Sequence, residues 1–402
     1  MRTQSGFLKA ALIACWTSIA VAAIWQIHVR SSDSALAITS GILLLASILL
    51  SRFALGLAFS TGPMLYLGLF GLFHLGLVVP WALGVYDIER VPWFVPYGLS
   101  GTIALIIYSI LSYQLGMIIV FSATPRLESS IPADALNLED SRIFLTGSLL
   151  FLGAVIIFIV GLIRLDPAGY QRLTYSDLFR LRAESDPRLF GSGITIALIG
   201  LSLSAAGAPK ERIRITLLAT CFWVLTLFYL GFRGPALIAG LVVYSVAQRK
   251  RFRFPKWLPW LTAALLLVVV PIMRFAREKP LNERSLNLSL KELNFLDGPA
   301  EMGASIRPLI ETTALVGPQD YRYGKTYLVG LKGVLPNLTL HWDPAATESI
   351  DDLPPSHWLI AIVDPWTYRN NGGMGFSAVA EPYMNFGIAG VLFYFLLIGY
   401  LL

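Results

Sequence analysis

The chain contains 402 residues, of which 55% are hydrophobic and 14% are charged, with a formal net charge of +6. Soluble domains carry about 25% charged residues, so this composition and a mean hydropathy of +0.66 exclude an ordinary soluble protein. The basic residues cluster in short connections between apolar runs, as membrane orientation requires, and therefore do not indicate nucleic-acid binding.

Apolar runs long enough to cross ~30 Å of hydrocarbon recur along the whole chain. We therefore predict an all-α polytopic membrane protein with about ten or more transmembrane helices, since a spanning helix needs about 20 apolar residues. The predicted spans are 7–27, 35–50, 64–85, 97–121, 143–163, 189–206, 215–232, 235–246, 257–273 and 385–402.

Basic connections set the predicted orientation. The strongest of them, 249–256, and the connection 210–214 fall on the same side as Arg52 and the N-terminus, which makes that side cytoplasmic. The same parity places a long polar segment outside. We predict a membrane scaffold over 1–275, a large extracytoplasmic loop with short helices over 276–384, and a last transmembrane helix over 385–402. That helix stops without a basic residue, which predicts a C-terminal truncation.

Three arginines lie at the outer ends of predicted spans. Arg233 stands in the turn Gly231-Phe-Arg-Gly, where it either snorkels to the interface or binds an anionic headgroup, whose oxygens a guanidinium can grip in pairs. Arg274 and Arg277 follow span 257–273. Because the outer surface normally avoids positive charge, they indicate either an anionic partner or a local ion-pair network.

Two glutamates are candidates for proton transfer. Glu301 follows Asp297-Gly-Pro, which predicts a helix start with Asp297 as the N-cap. Glu381 precedes Pro382 at the mouth of the last helix and shares a helix face with Asn385. Each carboxylate either caps its helix or accepts a hydrogen bond from a bound hydroxyl or cationic group.

Histidine and cysteine do not form a metal-site pattern. His341 and His357 each precede a tryptophan, outside any zinc-binding spacing, so we expect no metal or cofactor. Cys15 and Cys221 lie within apolar runs, where cysteine packs as a small hydrophobic residue.

Several short motifs in the last 170 residues or so resemble the bacterial oligosaccharide repeat-unit polymerases of the Wzy type. Their order and spacing carry the resemblance, whereas the earlier spans are similar only in hydropathy. Two features depart from the family: the early stop after Leu402, and Pro382. The motifs are Gly231-Phe-Arg233-Gly234, Glu301-Met-Gly303-Ala-Ser-Ile-Arg307-Pro308, Tyr323-Gly324-Lys325-Thr326-Tyr327, Pro336-Asn337, Gly373-Met-Gly375-Phe376-Ser377 and Glu381-Pro-Tyr383-Met-Asn385-Phe386-Gly387.

This resemblance implies a GT-C-like, metal-independent membrane glycosyltransferase in the bacterial inner membrane, with its site facing the periplasm or cell exterior. It would move a growing glycan from undecaprenyl pyrophosphate to the terminal sugar of a new lipid-linked unit. Membrane lipids and a chain-length regulator are the further partners. The catalytic residues implied are Glu301, Glu381, Arg233 and Arg277, and the substrate-binding ones are Arg274, Arg307, Lys325, Tyr327, Tyr383, Asn385 and His357.

Two other functions stay open at this stage. An O-antigen ligase, which transfers a finished chain to lipid A, would use a histidine of the large loop, such as His341 or His357. A transporter or flippase of lipid-linked sugars would show charged residues deep within several spans and a symmetric pair of broken helices. The predicted spans are nearly free of charge, which favours an enzyme.

Overall fold

The computed structural model describes most of the chain. It covers residues 2–123 apart from 60, 88, 90, 92 and 95–97, then 140–165, 187–250 apart from 210, 252, 254–255, 294–334, 349–369 and 374–402. Within these ranges the chain forms helices joined by turns, with no β-strand. Predicted span 257–273 lies outside them.

Apolar runs in the first part of the chain form long helices whose ends carry ordinary stop and start signals. The Ser32 hydroxyl accepts a hydrogen bond from the Ala35 N–H at the start of the second helix, and Gly231 ends another in the left-handed region (φ 98°). The helices up to residue 250 are α1 (Arg2–His28), α2 (Asp33–Leu49, extended by a π-helical turn Leu50–Ala54), α3 (Gly62–Leu75), α4 (Val78–Ala82), α5 (Ser100–Ala123), α6 (Ser141–Leu165), α7 (Pro187–Gly207), α8 (Ile213–Leu230) and α9 (Arg233–Arg249).

The described part of the polar segment after residue 294 is also helical. One continuous run contains α10, a 3₁₀ turn (Ala304–Ile306) and α11, and the last apolar run forms one long helix. These helices are α10 (Asp297–Gly303), α11 (Arg307–Leu315), α12 (Lys325–Val334), α13 (Pro355–Val363), α14 (Pro365–Arg369) and α15 (Ala380–Leu401).

The fold confirms an all-α polytopic membrane protein. Within the described ranges, six helices are long and apolar enough to cross a membrane, and three shorter ones are strongly apolar. The six are Gly6–His28, Asp33–Ala54, Ser100–Phe121, Ser141–Arg164, Ile213–Leu230 and Ala380–Leu401; the shorter three are Gly62–Leu75, Ser192–Gly207 and Gly234–Gln248.

The prediction of one unbroken span over 64–85 is wrong. The helix ends at Leu75, and a separate short helix, α4, follows. The cause is a close backbone approach: a Cβ on Gly76 would collide with the carbonyl oxygen of Pro299, and one on Gly303 would collide with the backbone of Leu77. Segment 297–315 therefore packs directly onto the end of α3.

The chain divides into two compact units. The first takes its residues from Met1–Arg126, Leu296–Arg369 and Gly373–Leu402, and the second from Leu127–Phe295 and Asn370–Gly372. The first unit has one hydrophobic core, to which α1–α5, α10, α11 and α15 all contribute. In the second, hydroxyls of Ser148, Ser204 and Thr216 join α6, α7 and α8 at 3.2 and 3.0 Å. The predicted loop over 276–384 stays a prediction.

The last helix begins at Ala380, five residues before the predicted start, and is broken inside. Phe386 (φ −140°, ψ 15°) and Gly387 (φ 62°, ψ −149°) leave the helical conformation. A Cβ on Gly387 would collide with the ring and hydroxyl of Tyr321. Glycine is therefore required at the break both for its positive φ and for space.

We expect Gly387→Ala to lower the stability of the first unit by about 1–3 kcal/mol, because alanine is strained at this φ and meets Tyr321. The measurement is the apparent melting temperature of the purified protein in detergent. Gly68→Ala is the matched control, since no atom lies within 4 Å of its added Cβ. Equal melting temperatures for the two variants would contradict the conclusion that glycine is required at position 387.

Candidate active site

The break in α15 is bound by backbone hydrogen bonds from a neighbouring loop. The carbonyl oxygens of Met384 and Asn385 accept hydrogen bonds from the N–H groups of Arg322 and Tyr323, each at 3.0 Å. Irregular backbone is tolerated at the level of a membrane only where its polar groups are satisfied inside the protein. The loop 317–324 therefore supplies hydrogen-bond donors to carbonyl groups at the break in α15. It also brings α12 to the mouth of α15.

Asn385 holds this arrangement together through its side chain. It is fully buried, and its Oδ1 accepts a hydrogen bond from the Gly324 N–H at 2.9 Å. Its Nδ2 donates to Thr326 Oγ1 at 2.6 Å and to the Glu381 carbonyl oxygen at 2.9 Å. Since both amide hydrogens and the amide oxygen are engaged, Asn385 favours a positioning role over the predicted contact with substrate.

Glu381 lies in the first turn of α15, at the mouth of the last helix, where the sequence predicted it at or just before the first turn. Its Oε1 accepts a hydrogen bond from the Thr326 hydroxyl at 3.0 Å, and its side chain is half-buried. Thr326 is the second residue of α12, so the carboxylate stands at the N-terminal ends of two helices. Both helix dipoles favour negative charge there. Glu381 is thus held as a hydrogen-bond acceptor whose side chain is only partly buried.

Tyr327 completes the cluster around Glu381. Burial and then the negative charge of Glu381 raise the pKa of the Tyr327 phenol well above its usual value. The phenol therefore stays protonated at physiological pH and can donate a hydrogen bond. Its side chain is 38% exposed, so it is accessible to a ligand.

Two ion pairs connect the loop 317–324 and Lys325, the first residue of α12, to the turn Ile350–Asp352. Arg322 Nη2 lies 2.7 Å from Asp351 Oδ1, and its guanidinium stacks 4.6 Å from the ring centroid of Trp358. Lys325 Nζ lies 2.8 Å from Asp352 Oδ1. Because the Lys325 and Asp352 side chains are about half exposed, water screens this second pair, and it contributes little stability.

The N-terminus of α15 is held by a buried serine–histidine pair. Ser377 Oγ accepts hydrogen bonds from the N–H groups of Val379 and Ala380 at 3.1 and 3.4 Å. His74 Nδ1 lies 3.0 Å from the Phe70 carbonyl oxygen, so Nδ1 carries the proton. His74 Nε2 is then the acceptor for the Ser377 hydroxyl, 3.1 Å away. This capping arrangement fixes the turn that carries Glu381.

Glu301 lies on α10, a helix that packs against the same end of α3. The prediction of Asp297 as the N-cap is wrong: Leu296 is the N-cap and Asp297 is the first helical residue. The Asp297 Oδ1 instead accepts a hydrogen bond from the Tyr86 hydroxyl at 3.2 Å. The end of α3 thus contacts both glutamate-bearing helices: α10 through Gly76 and Gly303, and the start of α15 through His74 and Ser377.

The other predicted site residues either have different partners or lie outside the described residues. Arg307 pairs with Glu311 at 3.4 Å and covers the ring of Trp93. The Tyr383 hydroxyl donates to the Val316 carbonyl oxygen at 3.3 Å, and His357 is exposed on α13. Arg233 begins α9, but its side chain is not among those described, and neither are Arg274 and Arg277.

The sequence patterns did not indicate a role for Thr326, Arg322, His74 or Ser377. Thr326 and Ser377 stand inside recognised motifs, and His74 is a polar residue in an apolar run, which is itself a signal of function or structural constraint. Within the described ranges, no three His, Cys, Asp or Glu side chains are grouped to hold a metal ion. Metal independence stays a prediction.

Comparison with known proteins gives the family. The family described as O-antigen polysaccharide polymerase Wzy matches residues 11–402, which confirms the resemblance carried by the motifs. The protein CapE of Staphylococcus aureus is 25% identical over 293 residues, covering 72% of this chain and 60% of CapE. The chain therefore spans less than two thirds of the length of this curated relative. No solved structure matches the chain.

We expect Ser377→Ala to cost about 1–2 kcal/mol of stability, because two N–H groups of α15 and the buried His74 lose their partner. Melting in detergent measures the loss. Ser18→Ala is the matched control, since that exposed hydroxyl only donates within its own helix, to the Ala14 carbonyl. If the pair acts as a unit, His74→Phe adds little further loss in the Ser377→Ala background. Fully additive losses would contradict the pairing.

Proposed function

Because this chain belongs to the O-antigen polysaccharide polymerase Wzy family, we propose that it polymerises lipid-linked oligosaccharide repeat units. One observation supports a site for this reaction: the motif residues Thr326, Tyr327, Glu381 and Asn385 gather at the mouth of a membrane helix. A lipid-borne substrate presents its sugars at this kind of boundary, just beyond the apolar part of the helix.

The proposed reaction is a glycosyl transfer between two carriers. The donor is the growing glycan on undecaprenyl pyrophosphate, and the acceptor is the terminal sugar of a new lipid-linked unit. An acceptor hydroxyl oxygen bonds to the anomeric carbon of the donor while the bond from that carbon to the pyrophosphate oxygen breaks. The hydroxyl proton passes to a base, and undecaprenyl pyrophosphate leaves with the electron pair.

Glu381 is the proposed base. Its Oε1 already accepts a hydroxyl hydrogen bond, from Thr326, so the carboxylate is placed and oriented to accept another from a sugar. Tyr327, held protonated beside it, would donate a hydrogen bond to a sugar oxygen. Glu301, on the helix that shares the end of α3, is the second candidate for the base. Asn385 acts through Glu381, whose turn it fixes.

Arginines would stabilise the leaving pyrophosphate. Negative charge grows on its oxygens as the bond breaks, and preorganised guanidinium groups lower the free energy of that transition state. Arg233 and Arg277 are proposed for this role, with Arg274, Arg307 and Lys325 in support. Fixed positive side chains would supply the charge that a metal ion supplies in other transferases. Tyr383 and His357 are the remaining proposed substrate contacts.

The proposed location is the bacterial inner membrane, with the site on the extracytoplasmic face. The basic connection 249–256 supports this orientation, because such loops stay in the cytoplasm. A chain-length regulator is a proposed partner. The number of repeat units added would then depend on both proteins.

Deleting the gene tests the reaction class. We expect the ladder of surface polysaccharide on a gel to collapse to a single repeat unit, because transfer of one unit to its acceptor does not need the polymerase. A plasmid copy should restore the ladder. Loss of all decoration, with lipid-linked polymer accumulating, would instead indicate a ligase, and an unchanged ladder would contradict both.

Replacing Glu381 tests the base. We expect Glu381→Gln to reduce polymerisation about 10²–10⁴-fold, since the amide cannot take the proton, while its oxygen still accepts from Thr326 and preserves the fold. Polymer formed by purified protein from lipid-linked units measures the rate. Glu211→Gln is the matched control, because that carboxylate is exposed on the connection 210–214, which is predicted to lie on the cytoplasmic side, and has no role in the proposed reaction. A near-normal polymerisation rate for Glu381→Gln would rule out Glu381 as the base and leave Glu301 as the candidate.

A further inference from the structure

Helix α12 has one face buried and another face that is apolar and exposed. Thr326 is buried against the start of α15, and Val329, on the same side of the helix, is half-buried. On the opposite side, Tyr327, Leu328 and Leu331 are 38%, 60% and 57% exposed. Leu328 and Leu331 are large apolar side chains about one turn apart, and their exposure to water is costly, so this surface needs a partner.

The neighbouring surface of α15 is of the same kind. Gly324, one residue before α12, lies against the ring of Phe386, with 3.4 Å between that ring and an added Cβ. Phe386 is 44% exposed and Phe393, two turns further, is 69% exposed. On a helix long and apolar enough to span a membrane, exposed aromatic side chains face acyl chains.

The depth of α12 follows from its hydrogen bonds. Thr326 donates to Glu381 and Gly324 donates to Asn385, both within the first six residues of a candidate spanning helix. The start of α12 is therefore at the level where α15 enters the apolar layer. Lys325, half exposed, stands at that end of α12 and would reach the headgroup level, as in helices that lie in the interface.

We propose that α12 is an interfacial helix whose apolar side chains Leu328 and Leu331 contact the lipid acyl chains of the bilayer. Continuity with the lipid-facing surface of α15 favours lipid over a second copy of the chain. This anchor would hold Thr326, and with it Glu381, at a fixed depth in the membrane. The inference does not depend on the reaction proposed above, because its test measures depth and not activity.

The test uses the full chain in nanodiscs of phosphatidylcholine and phosphatidylglycerol. Cys15 and Cys221 are first replaced by alanine, since both are exposed. Leu328→Cys and, separately, Leu331→Cys are then labelled with an environment-sensitive nitrobenzoxadiazole probe. Quenching is measured with doxyl-labelled lipid from the bilayer side and with iodide from the water side. Gln319→Cys, exposed on the loop 317–324, is the aqueous control, and Phe393→Cys on α15 is the lipid control.

We expect both α12 probes to be quenched several-fold more by shallow doxyl lipid than the Gln319→Cys probe, and several-fold less by iodide. Shallow doxyl positions should quench them better than deep ones, with the reverse order for Phe393→Cys. Iodide quenching equal to that at Gln319→Cys would overturn the proposal. Protection from both quenchers would also overturn it, because protein, either this chain or a second copy, would then cover the face. Unchanged melting temperatures of the labelled variants verify that the fold is intact.

Discussion

The candidate site depends on the hydrogen bonds of one buried side chain, that of Asn385. A helix broken at the membrane boundary exposes carbonyl groups that acyl chains cannot satisfy, so the break survives only if other groups of the protein bind it. The backbone of the loop 317–324 binds two of these carbonyls, and Asn385 ties the same loop to Thr326 and to the turn of Glu381. Asn385 and Thr326 are both buried, and an unpaired polar group there would be expensive, so their mutual hydrogen bond fixes the side of the cluster that faces the protein.

The end of α3 is the second organising element. Two glycines, Gly76 and Gly303, let backbones meet without intervening side chains, and so α10 approaches the helix end closely enough to interrupt the predicted span. Two residues before Gly76, His74 hydrogen-bonds Ser377 just before the start of α15. A single helix end therefore contacts both elements that carry a candidate base. Any reaction that uses Glu301 and Glu381 together would depend on this junction.

The charged side chains at the mouth of α15 are held in two different ways. Arg322 and Lys325 form ion pairs with acidic residues of the turn Ile350–Asp352. Glu381 is instead stabilised by a hydrogen bond from the neutral Thr326 hydroxyl and by two helix dipoles, and its side chain stays partly exposed. A carboxylate paired with an arginine would be a weaker base. The absence of such a pair at Glu381 among the described contacts suits a group that must accept a proton. Burial first, and then the negative charge of Glu381, raise the pKa of the neighbouring Tyr327.

The sequence by itself determined the class, the approximate spans and the family. Hydropathy is a sum over local residues, and motif order is read directly from the chain, so neither needs tertiary contacts. It also placed Glu381 at the mouth of the last helix, because Pro382 and the apolar run mark that start. Only the tertiary structure decided that Asn385 is a positioning residue and that span 64–85 is divided, since both follow from partners more than 50 residues away in the chain, Gly324 and Gly303. Such long-range contacts decide which polar groups are buried and paired, and local sequence patterns carry no record of them.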